Sequence, residues 1–111
     1  MNKSLLNQKV KIVPDLELEA FEGIIILFEE AKMKDIIIKV LTPFDHEGFN
    51  YEYLIASPRH VGNSFDKLLR GEGLLCSILR LPPERITFKD PFDTSWWRGG
   101  GSFIGDVIPL K

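Results

Sequence analysis

Apolar and polar residues alternate with period two near the start of the chain and crowd into continuous runs in its middle. In KVKIVP, Val10 and Ile12 fall on one face and Lys9 and Lys11 on the other, which predicts a short strand over 9–13 that ends at Pro14. Leu16, Leu18 and Ala20 alternate with Glu17 and Glu19, the pattern of a second, half-buried strand. Gly23 permits a bend. Two apolar runs, Ile24 to Phe28 and Ile36 to Leu41, flank the polar EEAKMKD and predict a hairpin covered on both faces.

The turn-rich TPFDHEGFN leads into YEYLIA, whose alternation places Tyr51, Tyr53 and Ile55 on one face of a strand. A short helix follows. Asn63 or Ser64, or the earlier Ser57 before Pro58, can cap it; Phe65, Leu68 and Leu69 supply its apolar face and Gly71 its stop. Leu74 to Leu81 has strand length between glycines and Pro82-Pro83, Ile86 and Phe88 suggest a further short strand, and Phe103 to Ile108 a last one. The pattern predicts one α+β domain over 1–111: a mainly antiparallel, curved sheet of about six or seven strands packed on one short helix.

Composition supports a single domain, because 111 residues with 44% apolar content bury a core of ordinary size. No segment approaches the roughly 20 apolar residues of a membrane span, and the expected location is cytoplasmic. Charge is unevenly spread. Residues 1–14 carry three lysines and no acid, residues 15–52 ten acids against three lysines, and residues 53–111 eight bases against six acids. No basic stripe exists to displace counterions from a phosphate backbone, so nucleic acid is not an expected partner. The acidic middle segment suits a basic protein instead.

The stretch DPFDTSWWRGGGSFIGD, residues 90–106, combines two tryptophans, an arginine and three glycines. A P-loop needs GxxxxGK[ST], and GxGxxG fails because Ile104 stands where its third glycine belongs; too few residues follow for the helix that either motif requires. The glycines read better as a turn or bulge. Trp96 and Trp97, adjacent and therefore pointing to opposite sides in extended chain, sit beside Arg98, and Trp and Arg are the residues most enriched at interface hot spots. Cys76 cannot form an intramolecular disulfide and lies in an apolar run, where a buried thiol is expected. His46 and His60 lack metal-ligand spacing, and Asp45-His46-Glu47 beside Gly48 reads as a polar turn, so no metal or cofactor is expected. Ser57, His60, Ser64 and Asp66 share one loop and helix entry, which suits capping better than a catalytic triad.

The stretch HEGFNYEYLIASPRHV, residues 46–61, resembles the central signature of a class of small bacterial immunity proteins, in which a glycine-acid turn leads to an aromatic-rich strand ending in a Ser/Thr-Pro step. The matching positions are Gly48, Phe49, Tyr51, Tyr53, Ser57 and Pro58. After Pro58 the chain departs from that class, with a strand-rich, Trp-containing C-terminus in place of a closing helical region. The resemblance implies a standalone cytoplasmic protein that neutralises a toxin domain by binding it, without catalytic residues of its own.

Two readings follow. In the first, the protein is a non-catalytic immunity or inhibitor protein for a basic toxin domain, with Glu17, Glu19, Glu29, Glu30, Asp45 and Glu47 as acidic contacts and Trp96, Trp97 and Arg98 as the anchor. In the alternative, it is a small ligand-binding or enzymatic domain with an anion site near Arg59, His60 and Asp66, at the entry to the helix. A homodimer is compatible with either.

Overall fold

The computed structural model describes residues 4–15 and 17–110. Six antiparallel strands, β1 (Lys9–Pro14), β2 (Phe21–Phe28), β3 (Ile36–His46), β4 (Phe49–Pro58), β5 (Leu74–Arg80) and β6 (Ser102–Pro109), pair in chain order. β6 pairs back onto β1 from Val10↔Pro109 to Pro14↔Gly105, so the sheet closes into a barrel. The expected curved sheet is present, but it packs against itself, and the helix contributes only a plug. Closure satisfies both edges of the sheet, which an open six-stranded sheet leaves exposed.

Alternation along each strand builds the interior. Val10 and Ile12 of β1, Ile36, Ile38 and Val40 of β3, and Cys76 and Ile78 of β5 are fully buried inside. At one end, here the lower, Leu5 and the first 3-10 helix (Phe65–Arg70) close the barrel through Phe65 and Leu68. Gly71 terminates that helix in the left-handed conformation, as its sequence position predicts. At the upper end the rings of Phe21, Phe44, Tyr51 and Phe103 meet, with Phe21 and Phe44 edge to face at 4.8 Å and Phe44 stacked on Tyr51 at 5.2 Å. The loop 15–20, the turn 47–48 and the connection from Leu81 to Gly101 also lie at the upper end; the turn 29–35 and the segment 59–73 lie at the lower.

Three local expectations are corrected. The strand expected over Leu16, Leu18 and Ala20 is absent at 17–20, which forms the β1–β2 loop; Leu16 lies outside the described residues. Ile86 belongs to a second 3-10 helix (Pro83–Thr87) and Phe88 follows it, because Pro82-Pro83 favours a helical start over an extended one. Tyr51 does not share a face with Tyr53 and Ile55. Between the pairs Lys39↔Tyr53 and Phe44↔Tyr51, residues 40–43 of β3 stand opposite Glu52 alone, and this bulge turns Tyr51 into the core while Tyr53 stays outside.

The continuous apolar run of β3 is also explained. Ile37 points out of the barrel yet is fully buried, because the β5–β6 connection folds over it with Leu81, Ile86, Phe92 and Trp96, against Ile55 of β4. Both faces of β3 are therefore covered, as the run of β-branched residues requires.

A narrow barrel leaves no room for side chains at every inward position. A Cβ placed on Gly105 would lie 2.9 Å from the Val13 carbonyl oxygen and 3.0 Å from the Pro14 Cα, both backbone atoms of the neighbouring strand. Gly105→Ala is expected to lower stability by about 1–3 kcal/mol through this overpacking, measured as a lower urea midpoint at unchanged slope; an unchanged midpoint would show that β6 and β1 are not this close.

Candidate functional site

The upper end differs from the rest of the barrel because β2 and β3 separate there. Their last pair is Gly23↔Val40, whereas β3 runs on to His46, paired from Phe44 onward with β4 only. The gap holds two adjoining cavities of about 440 and 410 Å³. Phe21, Ala20 and Thr42 line both. Lys11, Glu22 and the exposed Leu41 complete the first; Glu17, Leu18, Glu19, Phe44 and Asp45 complete the second. The rings of Phe21 and Phe44, packed against the core, supply the apolar part of the second cavity, whose lining also includes Glu17, Glu19 and Asp45.

The turn beside this cleft is tightly specified. Glu47 and Gly48 both have positive φ (50° and 84°), the conformation of a two-residue hairpin turn between His46 and Phe49. The Asn50 side-chain amide donates to Asp45 Oδ1 at 2.9 Å, tying that carboxylate to the neighbouring strand β4. Tyr51, stacked beneath Phe44, has its hydroxyl pKa raised by burial and by the negative charge of Glu47, with Arg80 opposing.

The glycine run serves this end of the barrel. Gly99, Gly100 and Gly101 all adopt positive φ, and they return the chain to β6. Gly100 packs on the ring of Phe49, where a Cβ would come within 2.7 Å of the ring, and Gly101 accepts a hydrogen bond from the Arg80 amide at 2.6 Å. The turn reading of these glycines is the one seen. Trp97 donates its indole N–H to the Gly100 carbonyl at 3.1 Å, which places Trp97 and the exposed Arg98 beside the β3–β4 turn. Trp96 turns the other way. It packs into the outer cluster over Ile37 and Ile55, with the Arg85 guanidinium 5.3 Å from its ring and its buried indole nitrogen without a partner.

The sequence-derived candidates thus divide by position. Glu17, Glu19 and Asp45 share one cavity, and Glu47, Trp97 and Arg98 lie at the same end. Glu29 and Glu30 belong to the β2–β3 turn at the opposite end, where the Glu29 carboxylate accepts from the Lys32 amide. Phe21, Thr42 and Phe44 were not singled out in sequence; the signals that point to them are the Gly23 close approach and Pro43, which mark where β2 and β3 part.

The residues of the alternative site are not brought together. Arg59 lines a separate cavity on the outer face of β5 and β6, with Asp15 and Ser77, and neither His60 nor Asp66 lines it. His60 is exposed in the loop. Asp66 accepts from the Ser64 hydroxyl and pairs with Arg70 at 2.9 Å, and these hydrogen bonds hold its carboxyl below the usual range. Ser57 donates to Asp35 at 2.5 Å, so Ser57 and Ser64 both face carboxylates and not His60. Cys76 is fully buried, and burial pushes its thiol up to about 12, which suits packing and not nucleophilic attack. Among the described residues no group of three His, Cys, Asp or Glu is placed to hold a metal ion, and no helix is long and apolar enough to cross a membrane.

No family model matches the sequence, and neither a curated protein nor a solved structure shows significant similarity to it.

The opposed placement of the two tryptophans has a measurable consequence. Trp96→Ala is expected to cost about 2–4 kcal/mol, because it opens the outer cluster, whereas Trp97→Ala is expected to cost about 1 kcal/mol for one lost hydrogen bond. Urea unfolding of the two variants checks the order; equal losses would contradict the packing described.

Proposed function

We propose that this is a non-catalytic, cytoplasmic binding protein that neutralises a basic protein, most concretely a bacterial toxin domain, by direct contact through the upper end of its barrel. The observation that carries this reading is the grouping of Glu17, Glu19 and Asp45 over the Phe21–Phe44 floor, with Glu47, Trp97 and Arg98 on the same end. Acidic side chains around an apolar centre supply both halves of a recognition surface. The charges speed encounter with a cationic partner, and the desolvated aromatic centre slows its release. The similarity of residues 46–61 to immunity proteins points to the same region, because that stretch contains the turn and strand that hold Asp45, Glu47 and Phe49 in place.

The anion-site alternative receives less support. Arg59 shares its cavity with the carboxylate of Asp15, which opposes an anionic ligand there.

The test is capture of partners by tagged protein in a lysate of the source organism, comparing wild type with a Glu17→Lys, Glu19→Lys, Asp45→Lys variant. The expected result is a stoichiometric, basic partner whose association with the variant slows at least about tenfold at low salt, and whose toxicity on expression is suppressed by the wild type but not by the variant. A partner bound equally by both proteins, with the same salt dependence, would overturn the proposal.

A further inference from the structure

The cleft at the upper end has a feature beyond its charge: an unpaired strand edge. Pairs in an antiparallel ladder alternate between those that exchange backbone hydrogen bonds and those that do not. His46 and Phe49 close a two-residue turn and therefore form a hydrogen-bonded pair, so Phe44↔Tyr51 is the next such pair and Asp45↔Asn50 lies between them. The N–H and C=O of Asp45 accordingly point away from β4, into the side from which β2 has already diverged. β2 is eight residues long and β3 eleven, and the missing length of β2 is the cleft.

A second copy of this chain is a poor occupant. Pairing two such edges would set Asp45 and Glu47 against their own images, and Pro43 offers no backbone donor, which are the devices that keep edge strands from self-association. A segment of opposite charge removes the first obstacle, and a short one avoids the second by pairing at Asp45, beyond Pro43. A lysine or arginine on it is placed to reach Glu17, Glu19 and Asp45, with its aliphatic stem along Phe21 and Phe44.

Resting on the reading of this end as a binding surface for a basic protein, we infer that the partner inserts an extended basic segment between β2 and β3, where it adds as a short strand to β3 at Asp45. The partner's backbone, and not only its charge, is then read. Affinity comes from main-chain hydrogen bonds, and selectivity from alternate cationic side chains pointing into the acidic cavity.

The test uses an N-acetylated, C-amidated heptapeptide of alternating lysine and valine, and the same peptide N-methylated at alternate residues on its hydrogen-bonding edge. Both are titrated into the intact ¹⁵N-labelled protein at low salt. The expected result is that the unmodified peptide shifts the amides of 17–22, 41–42 and 44–46 and slows exchange of the Asp45 amide, while the methylated peptide binds roughly tenfold more weakly, the loss of one to two backbone hydrogen bonds. Glu17→Lys with Glu19→Lys weakens both peptides. Equal binding of the two peptides, with Asp45 still exchanging freely, overturns strand addition while leaving acid-dependent docking intact. Absence of binding at this end, with an alternating glutamate and valine peptide behaving no differently, overturns both this inference and the binding surface on which it rests.

Discussion

The narrowness of a six-stranded barrel governs the rest of the molecule. Once β6 closes onto β1, inward side chains from opposite walls compete for one small volume, and the chain answers with β-branched residues at about half of the interior positions and glycine where strands come closest. Gly105 meets the backbone of β1, and Gly23 meets the Ile38 side chain and the Lys39 carbonyl of β3. The two ends are stoppered differently: Leu5 with the first 3-10 helix below, and a cluster of four aromatic rings above. The aromatic end is the one that stays accessible, because Phe21 and Phe44 are only half-buried.

Closure also creates the cleft. β3 extends past its contact with Gly23, bulges opposite Glu52 and continues as an arm supported by β4 alone. The β1–β2 loop brings Glu17 and Glu19 to one wall, and the upper end of β3 brings Asp45 to the other. The proposed role as a surface complementary to a cationic protein rests on this placement. The connection from Leu81 to Gly101 supports the arrangement by covering the outer face of β3 with Trp96 while fixing Trp97 and the glycines against the same hairpin.

Much of this was legible in the sequence. The strands at Lys9, Ile24, Ile36, Tyr51, Leu74 and Phe103 are visible as alternation or as β-branched runs, and the stop at Gly71 follows from glycine's freedom at positive φ. The 17–20 segment misleads because Leu18 and Ala20 alternate with acids as a strand would, although no neighbouring strand is there to pair with them. Tyr51 misleads because a bulge breaks period two without any local marker other than Pro43. Closure itself was not legible, since it depends on β6 finding β1 across the length of the chain. For the same reason sequence alone could not separate Glu17, Glu19 and Asp45 from Glu29 and Glu30: only strand direction places the last two at the other end.

The most direct measurement is amide hydrogen exchange of the free protein, resolved residue by residue by NMR. A barrel that is closed except at the upper junction of β2 and β3 predicts strong protection of the amides of Ile38 and Lys39, and of Phe44 and His46 where they face β4, with Asp45 exchanging at least about a hundredfold faster than these neighbours. Protection of Asp45 equal to that of Phe44 and His46 would mean that β3 is paired on both sides at its upper end, and that the cleft on which the proposed binding surface depends does not exist.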